Sequence, residues 1–323
     1  MRKAPESRYP CPMKHLRALA VLLGLAAAPT LAQSDAPYTV VESGRGFNRL
    51  QDAVNAIGAG MGTIRVAAGD HADCAVQEQG DVAYVAATPG AAAFSGTACE
   101  GKAALVLRGR SARVEGLVFT GIRVADYNGA GIRIERGNLV VSQAWFHDSQ
   151  QGILSAGDPA GTISIDKSTF TRLGTCAGGG GCAHSIYVGD YGALTVTRSR
   201  FEAGRGGHYL KARAARVTIT DNSFDDAAGK GTNYMIDLPN GATGRIAGNW
   251  LVQGRDKENH SAFIAIAAEG RGNASAGLAI AGNVARLAPG VPWRSVFVAD
   301  WSGDPLALGV NQLGEGLTRF ERR

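Results

Sequence analysis

The sequence predicts an all-β fold, a single-stranded right-handed parallel β-helix with a capping helix at its N-terminal end. Three observations predict it: a strand-and-turn motif that recurs along the chain, 45 glycines among 323 residues without proline enrichment, and short apolar runs that alternate with polar positions. Many short strands joined by tight turns account for the glycine, whereas disorder would bring proline and high charge with it. Hydrophobic residues make up 45% of the chain and charged residues only 19%, enough apolar material for one long core.

The repeat is plainest from residue 104, so the main coils are placed at 104–300 within a domain spanning 33–323. Leu139, Val140, Val141 and Ser142 lead to Phe146, and Ile163, Ser164, Ile165 and Asp166 lead to Phe170. The same figure runs from Leu194 to Phe201, from Val217 to Phe224 and from Ile246 to Leu251, and a weaker copy runs from Leu278 to Ala285. Its β-branched, alternating composition excludes helical repeats. Stacked coils explain it, because each coil buries its inward residues against its neighbours. Asn222 and Asn249 stand just before the aromatic position, where side-chain amides can stack along the axis in a structural role.

A solenoid needs covered ends. Residues 46–57 place Phe47, Leu50, Val54 and Ile57 at helical spacing, which predicts the capping helix. Gly62 to Val66 then opens the first coil. From about 301 the pattern fades, and the remaining chain is expected to cover the last coil.

Residues 1–32 read as an export signal. Met13, Lys14, His15, Leu16 and Arg17 form a basic head, 18–28 form an uncharged apolar run, and Pro29, Thr30, Leu31 and Ala32 offer a cleavage site before Gln33. The run is too short for a stable membrane span, so a periplasmic or secreted protein is expected. Cys11 falls in the removed part. Cys74, Cys99, Cys176 and Cys182 remain, an even number that suggests disulfides in an exported chain. Of the three pairings, Cys176 with Cys182 closes an easy glycine loop and leaves Cys74 for Cys99. Zinc is the rival reading, but the spacing is not that of a zinc site. The net charge of +5 includes the basic head. The rest is mildly basic, with no basic stripe interleaved with aromatics, so nucleic acid is not the expected partner.

Alternation places candidate site residues. With Ile186, Leu210 and Ile236 pointing inward on three successive coils, Tyr187, Lys211 and Asp237 all point outward from one sheet. The same register gives Leu154 and then Arg133 on earlier coils and Ala265 on the next. Turns beside this row contribute His208, Arg213 and Asn240. The loop at 253–260, with Arg255, Glu258 and His260, is expected to form a cleft wall. His147, Asp148 and His184 receive no role, and Glu269 reads as an exposed loop residue.

The stretch from Tyr38 to Gly69, followed by these coils, resembles the pectate-lyase-like superfamily of right-handed β-helices. Gly207-His208-Tyr209-Leu210-Lys211-Ala212-Arg213, with Ile236-Asp237-Leu238-Pro239-Asn240-Gly241 one coil later, is more distantly similar to the polysaccharide lyase family of chondroitinase B and alginate lyases. In that family a lysine on one coil is followed by an arginine on the next. Lys211 matches the lysine, and Asp237 or its neighbours stand where the arginine would be. The resemblance admits a calcium ion as cofactor, and implies an acidic polysaccharide or oligosaccharide as partner of a monomeric chain.

Elimination at a uronic acid needs a cation on the carboxylate, a base for the adjacent proton and an acid for the leaving oxygen. Lys211, Tyr187, His208 and Asp237 are the expected catalytic residues. Arg213, Asn240, Arg255, Glu258, His260 and Arg133 are the expected substrate-binding ones. Two alternatives stay open: a non-catalytic polysaccharide-binding protein using the same row, and a glycoside hydrolase using paired carboxylates, for which Asp225 and Asp226 are the candidates. Lys211 with Asp237 could also be a plain cross-strand ion pair on a solvated face.

Overall fold

The computed structural model describes residues 36–323, together with Met1. The expected export signal and Cys11 therefore lie outside the described residues, Met1 apart.

Each coil contributes one short strand to each of three sheets, of twelve, ten and ten strands. In one coil the strands are Asn138–Ser142, Trp145–His147 and Gln151–Ser155, after which Asp158–Asp166 begins the next coil beside the first. Coil pairing is parallel throughout. The corner between the first and second sheets is tight and needs a left-handed residue. Gly248 and Gly282 supply it with φ of 67° and 68°, and Gln143, Lys167, Arg198 and Asp221 adopt it on other coils.

The aromatic positions read from the repeat form one internal stack. Phe119, Phe146, Phe170, Phe201 and Phe224 follow one another with ring centroids 4.9, 4.9, 4.8 and 4.6 Å apart. That spacing is the strand spacing of a sheet, so rings in equivalent positions must stack. Leu251 and Ala285 continue the column.

Beside it runs an amide ladder. Asn222 Nδ2 donates to Asn249 Oδ1, Asn249 Nδ2 to Asn283 Oδ1, and Asn283 Nδ2 to Asn311 Oδ1, each at 2.9 Å. Asn249 also donates to the Ile219 carbonyl and accepts from the Asn222 backbone amide. Asn249→Ala leaves those buried groups unpaired and is expected to cost about 2–4 kcal/mol of unfolding free energy, read by chemical denaturation. A loss below about 0.5 kcal/mol would show that the ladder is dispensable.

The cap is shorter than expected. The helix is Leu50–Ile57, and Arg45–Phe47 is instead a strand pairing antiparallel with Tyr38–Val40. That ribbon pairs in turn with Met61–Val66 and covers the first edge of the solenoid, which takes residues 45–47 away from the helix. Arg49 offers the helix no side-chain cap; Asp73 supplies one by accepting the Leu50 amide at 2.8 Å. The other end also departs from expectation. Ala307–Leu308, Gln312–Leu313 and Leu317–Arg322 add a further coil in register with the preceding one, so the segment after 301 extends the solenoid. Charges at Arg319, Glu321 and Arg322 blunt its last edge strand.

Disulfides join Cys74 to Cys99 and Cys176 to Cys182. Among the described residues no helix is long and apolar enough to cross a membrane.

Candidate functional site

The third sheet carries the site. Ile153, Ile186, Leu210, Ile236 and Ile264 are in register pointing inward, and Leu154, Tyr187, Lys211, Asp237 and Ala265 form the matching outward row. Loops between the second and third sheets rise beside this row and enclose a cleft of about 390 Å³. The glycine-rich loop closed by Cys176 and Cys182 forms one side, and Asn233 and Glu258 form another. His184, Tyr187, His208, Lys211 and Arg213 line its floor. A larger hollow of about 510 Å³ lies beside the N-terminal cap, where Asp73 and Gln51 are already engaged in holding the helix and the neighbouring coil.

The row is no solvated surface pair. Asp237 is 2% exposed and Lys211 8%. Lys211 Nζ lies 3.4 Å from Asp237 and donates to Glu269. Arg213 donates through Nε to the Tyr187 hydroxyl at 2.9 Å, through Nη1 to Asn240 and through Nη2 to Glu269. His208 Nε2 is 3.4 Å from the same Asp237 oxygen that faces Lys211. His208 Nδ1 and Asp237 Oδ1 are buried without a hydrogen-bond partner in the protein. Unpaired buried polar atoms are costly, and here two of them belong to neighbouring side chains that face each other through their other polar atoms.

Burial sets the protonation states. It pushes the Asp237 carboxyl up to about 6, against the opposing pull of Lys211. Burial, reinforced by Lys211, brings His184 down to about 3, and burial, reinforced by His184 and Lys211, brings His208 well below the usual imidazole value. Both imidazoles are therefore neutral near pH 7. His184 Nδ1 accepts the His208 backbone amide at 2.9 Å, which leaves its ring proton on Nε2. Burial raises Glu269, but hydrogen bonds from Lys211 and Arg213 outweigh that and hold it low.

The raised Asp237 value has a measurable sign. Its folded-state proton contributes stability that is fully present below the unfolded value of 3.8 and is lost as pH rises through about 6. Asp237→Asn removes that contribution. Between about pH 6 and about pH 4, the variant is expected to lose about 1.4 kcal/mol per pH unit more than the wild-type chain in urea unfolding. Parallel pH dependences would show that Asp237 is ionised in the folded state over this range.

Four of the expected ligand-binding positions need correction. Arg255 Nε donates to the Pro289 carbonyl, and His260 stacks on Trp293, so both turn toward the following coil and away from the cleft. Arg133 lies two coils from Tyr187, 3.8 Å from Glu135. Of the 253–260 loop only Glu258 lines the cleft, where it accepts from Asn233. Asn240 reaches the site through Arg213 and is not among the lining residues. Asp226 is fully buried, accepting from Tyr209 and Thr232 and paired with Lys257, which removes the Asp225 and Asp226 pair as hydrolytic acids. His147 and Asp148 join Arg172 at an outer corner.

Two site residues carry no role in the sequence reading. Glu269 is an internal partner of both cations. His184 precedes Ile186 by two positions, as His208 precedes Leu210 and Tyr234 precedes Ile236. The three rings follow one another with centroids 4.9 and 5.5 Å apart, so a repeated offset from the strand is the signal that would have placed His184.

The donor set does not suit calcium, since each row carboxylate, Asp237 and Glu269, already lies against a lysine or arginine. Cys176, Cys182 and Glu258 present ligand-type atoms within 4.8 Å of one another, but sulfurs joined in a disulfide are not thiolate ligands.

A family described as right handed beta helix region matches residues 97–255. A rice weevil pectin methyl esterase structure is similar over 86% of this chain and 84% of its own, at 12% identity and a TM-score of 0.49. A Geobacillus virus E2 protein, ORF18, is similar over 84% of this chain and 56% of its own, at 14% identity and a TM-score of 0.46. No curated protein matches the sequence. The repeat, the stacked phenylalanines, the parallel register of three sheets and the family match together make this chain a right-handed parallel β-helix protein.

Proposed function

We propose that this chain is an exported, carbohydrate-active β-helix that takes an acidic, uronate-containing polysaccharide into the cleft and cleaves it by β-elimination. One observation carries the reading: two cations, Lys211 and Arg213, converge on a single carboxylate beside buried neutral imidazoles. The disulfides and the apolar leader expected at 1–32 support an oxidising compartment outside the cytoplasm.

In this reaction Lys211 and Arg213 neutralise the uronate carboxylate, which acidifies the adjacent C5 proton. His208 accepts that proton, and Asp237 beside it stabilises the imidazolium that forms. The C5–H electron pair becomes the C4–C5 double bond and the C4–O bond breaks. Tyr187, whose hydroxyl already sits on Arg213, protonates the departing oxygen. Lying between Asp237 and Glu269, Lys211 suits charge neutralisation better than a base role. His184, with its proton on Nε2, donates a hydrogen bond to the sugar in this reading.

The test is incubation with a panel of uronate polymers while following the ultraviolet absorbance of an unsaturated uronide. Absorbance growth that survives Lys211→Ala would sink the mechanism. Binding without product would favour a carbohydrate-binding protein, and new reducing ends without absorbance would favour hydrolysis.

A further inference from the structure

We infer that Glu269 is an internal stand-in for the substrate carboxylate, and that an acidic sugar enters the Lys211–Arg213 subsite by displacing it. The inference rests on the carboxylate-binding reading of the cleft and adds the residue that competes for it.

Glu269 makes the contact a ligand would make. One of its oxygens accepts from Lys211 Nζ and the other from Arg213 Nη2, so a single carboxylate spans both cations. The cations do not depend on it for their positions. Arg213 is also held by the Tyr187 hydroxyl and Asn240, and Lys211 lies against Asp237. Glu269 is the accessible member of the group: its side chain is 44% exposed, against 10% for Lys211 and 3% for Asp237. Glu269 is therefore the member with most room to leave, while Lys211 and Arg213 themselves line the cleft.

The loop stays while the side chain leaves. The Ala267 amide donates to the Leu238 carbonyl, the Glu269 amide to Pro239 and the Asn273 amide to Asn240, all at 2.8–2.9 Å. Asn273 Nδ2 also donates to the Arg213 and Gly241 carbonyls. The backbone on both sides of Glu269 is thus tied to the preceding coil, and rotation of one half-exposed side chain suffices to open the subsite.

Charge then decides what can enter. Lys211 and Arg213 balance Asp237 and Glu269 when both acids are ionised. A carboxylate that replaces Glu269 restores both ion pairs and preserves that balance. A neutral sugar that ejects Glu269 leaves two cations short of a partner in a partly desolvated site, which is costly. The cations therefore favour acidic sugars over neutral ones, while Glu269 lowers the apparent affinity for both by competing with them.

The test is calorimetric binding of galacturonate, glucuronate and mannuronate trisaccharides, with their carboxyl-reduced counterparts, to the wild-type chain and to Glu269→Gln. The amide keeps the shape and can still accept a hydrogen bond from either cation, and equal melting temperatures confirm an intact fold. The acidic trisaccharide that binds best is expected to bind Glu269→Gln about tenfold more tightly than wild type. Its carboxyl-reduced form is also expected to bind Glu269→Gln more tightly, since no carboxylate is then displaced, and to stay weaker than the acid on both proteins. Equal or weaker binding of the acid by Glu269→Gln overturns the displacement and makes Glu269 a permanent positioning residue. Failure of both proteins to bind any acidic trisaccharide overturns the carboxylate subsite itself, and the proposed function with it.

Discussion

Lys257→Ala is expected to lower the unfolding free energy by about 3–5 kcal/mol, because it strands a carboxylate in the protein interior. Lys257 and Asp226 both have fully buried side chains, 3.1 Å apart. The ammonium also donates to Thr232 Oγ1 and the Asn233 carbonyl. Asp226 accepts from Tyr209 and Thr232 at 2.7 Å and from the Gly254 amide at 3.0 Å. This network pins the loop bearing Glu258 to the turn bearing Asn233, so the same substitution is expected to loosen one wall of the cleft. Urea unfolding measures the loss. The double variant Lys257→Met, Asp226→Asn is expected to recover part of it, since removing both charges abolishes the uncompensated one while the amide oxygen still accepts from Tyr209. A single-variant loss under about 1 kcal/mol would mean that water reaches the pair.

His208→Ala is expected to lower the elimination rate by about 10²–10⁴-fold while leaving the fold intact. Losing the ring bears on catalysis more than on the fold: Nδ1 has no partner, and the bond to His184 comes from the His208 backbone, which alanine retains. The pH profile separates a chemical role from a packing one. Burial keeps the imidazole neutral well below its usual value, so activity should not follow an ordinary histidine titration. It should instead fall on acidification near pH 6 as Asp237 takes up its proton, and that limb should vanish in Asp237→Asn. A kcat within about threefold of wild type in His208→Ala would remove His208 from the proton transfer.

The coils were legible because each inward position reports on the next. Phe146, Phe170, Phe201 and Phe224 recur at one offset from an alternating strand, and alternation places Tyr187, Lys211 and Asp237 in a row without knowledge of any contact. Loops carry no such period. Glu269 lies 32 positions after Asp237 in a segment rich in glycine and alanine, and only the backbone ties to Leu238, Pro239 and Asn240 bring it back over the cations. Arg255 and His260 have the composition of a binding loop, yet Pro289 and Trp293 on the following coil claim them. The capping helix was overextended because Phe47 fits its spacing, although strand pairing with Tyr38 holds that residue instead.

The Tyr187, Lys211 and Asp237 row has a consequence for how such a protein can change. Adjacent members of the row are one coil apart, a separation imposed by backbone hydrogen bonding and independent of loop length. The sheet therefore acts as a ruler graduated in coils, while the loops are interchangeable jaws mounted along it. Lengthening or replacing a loop can alter what the cleft admits without shifting the spacing of the groups on its floor. Inserting or deleting a whole coil between Ile186 and Ile236 would instead move those groups by a full graduation.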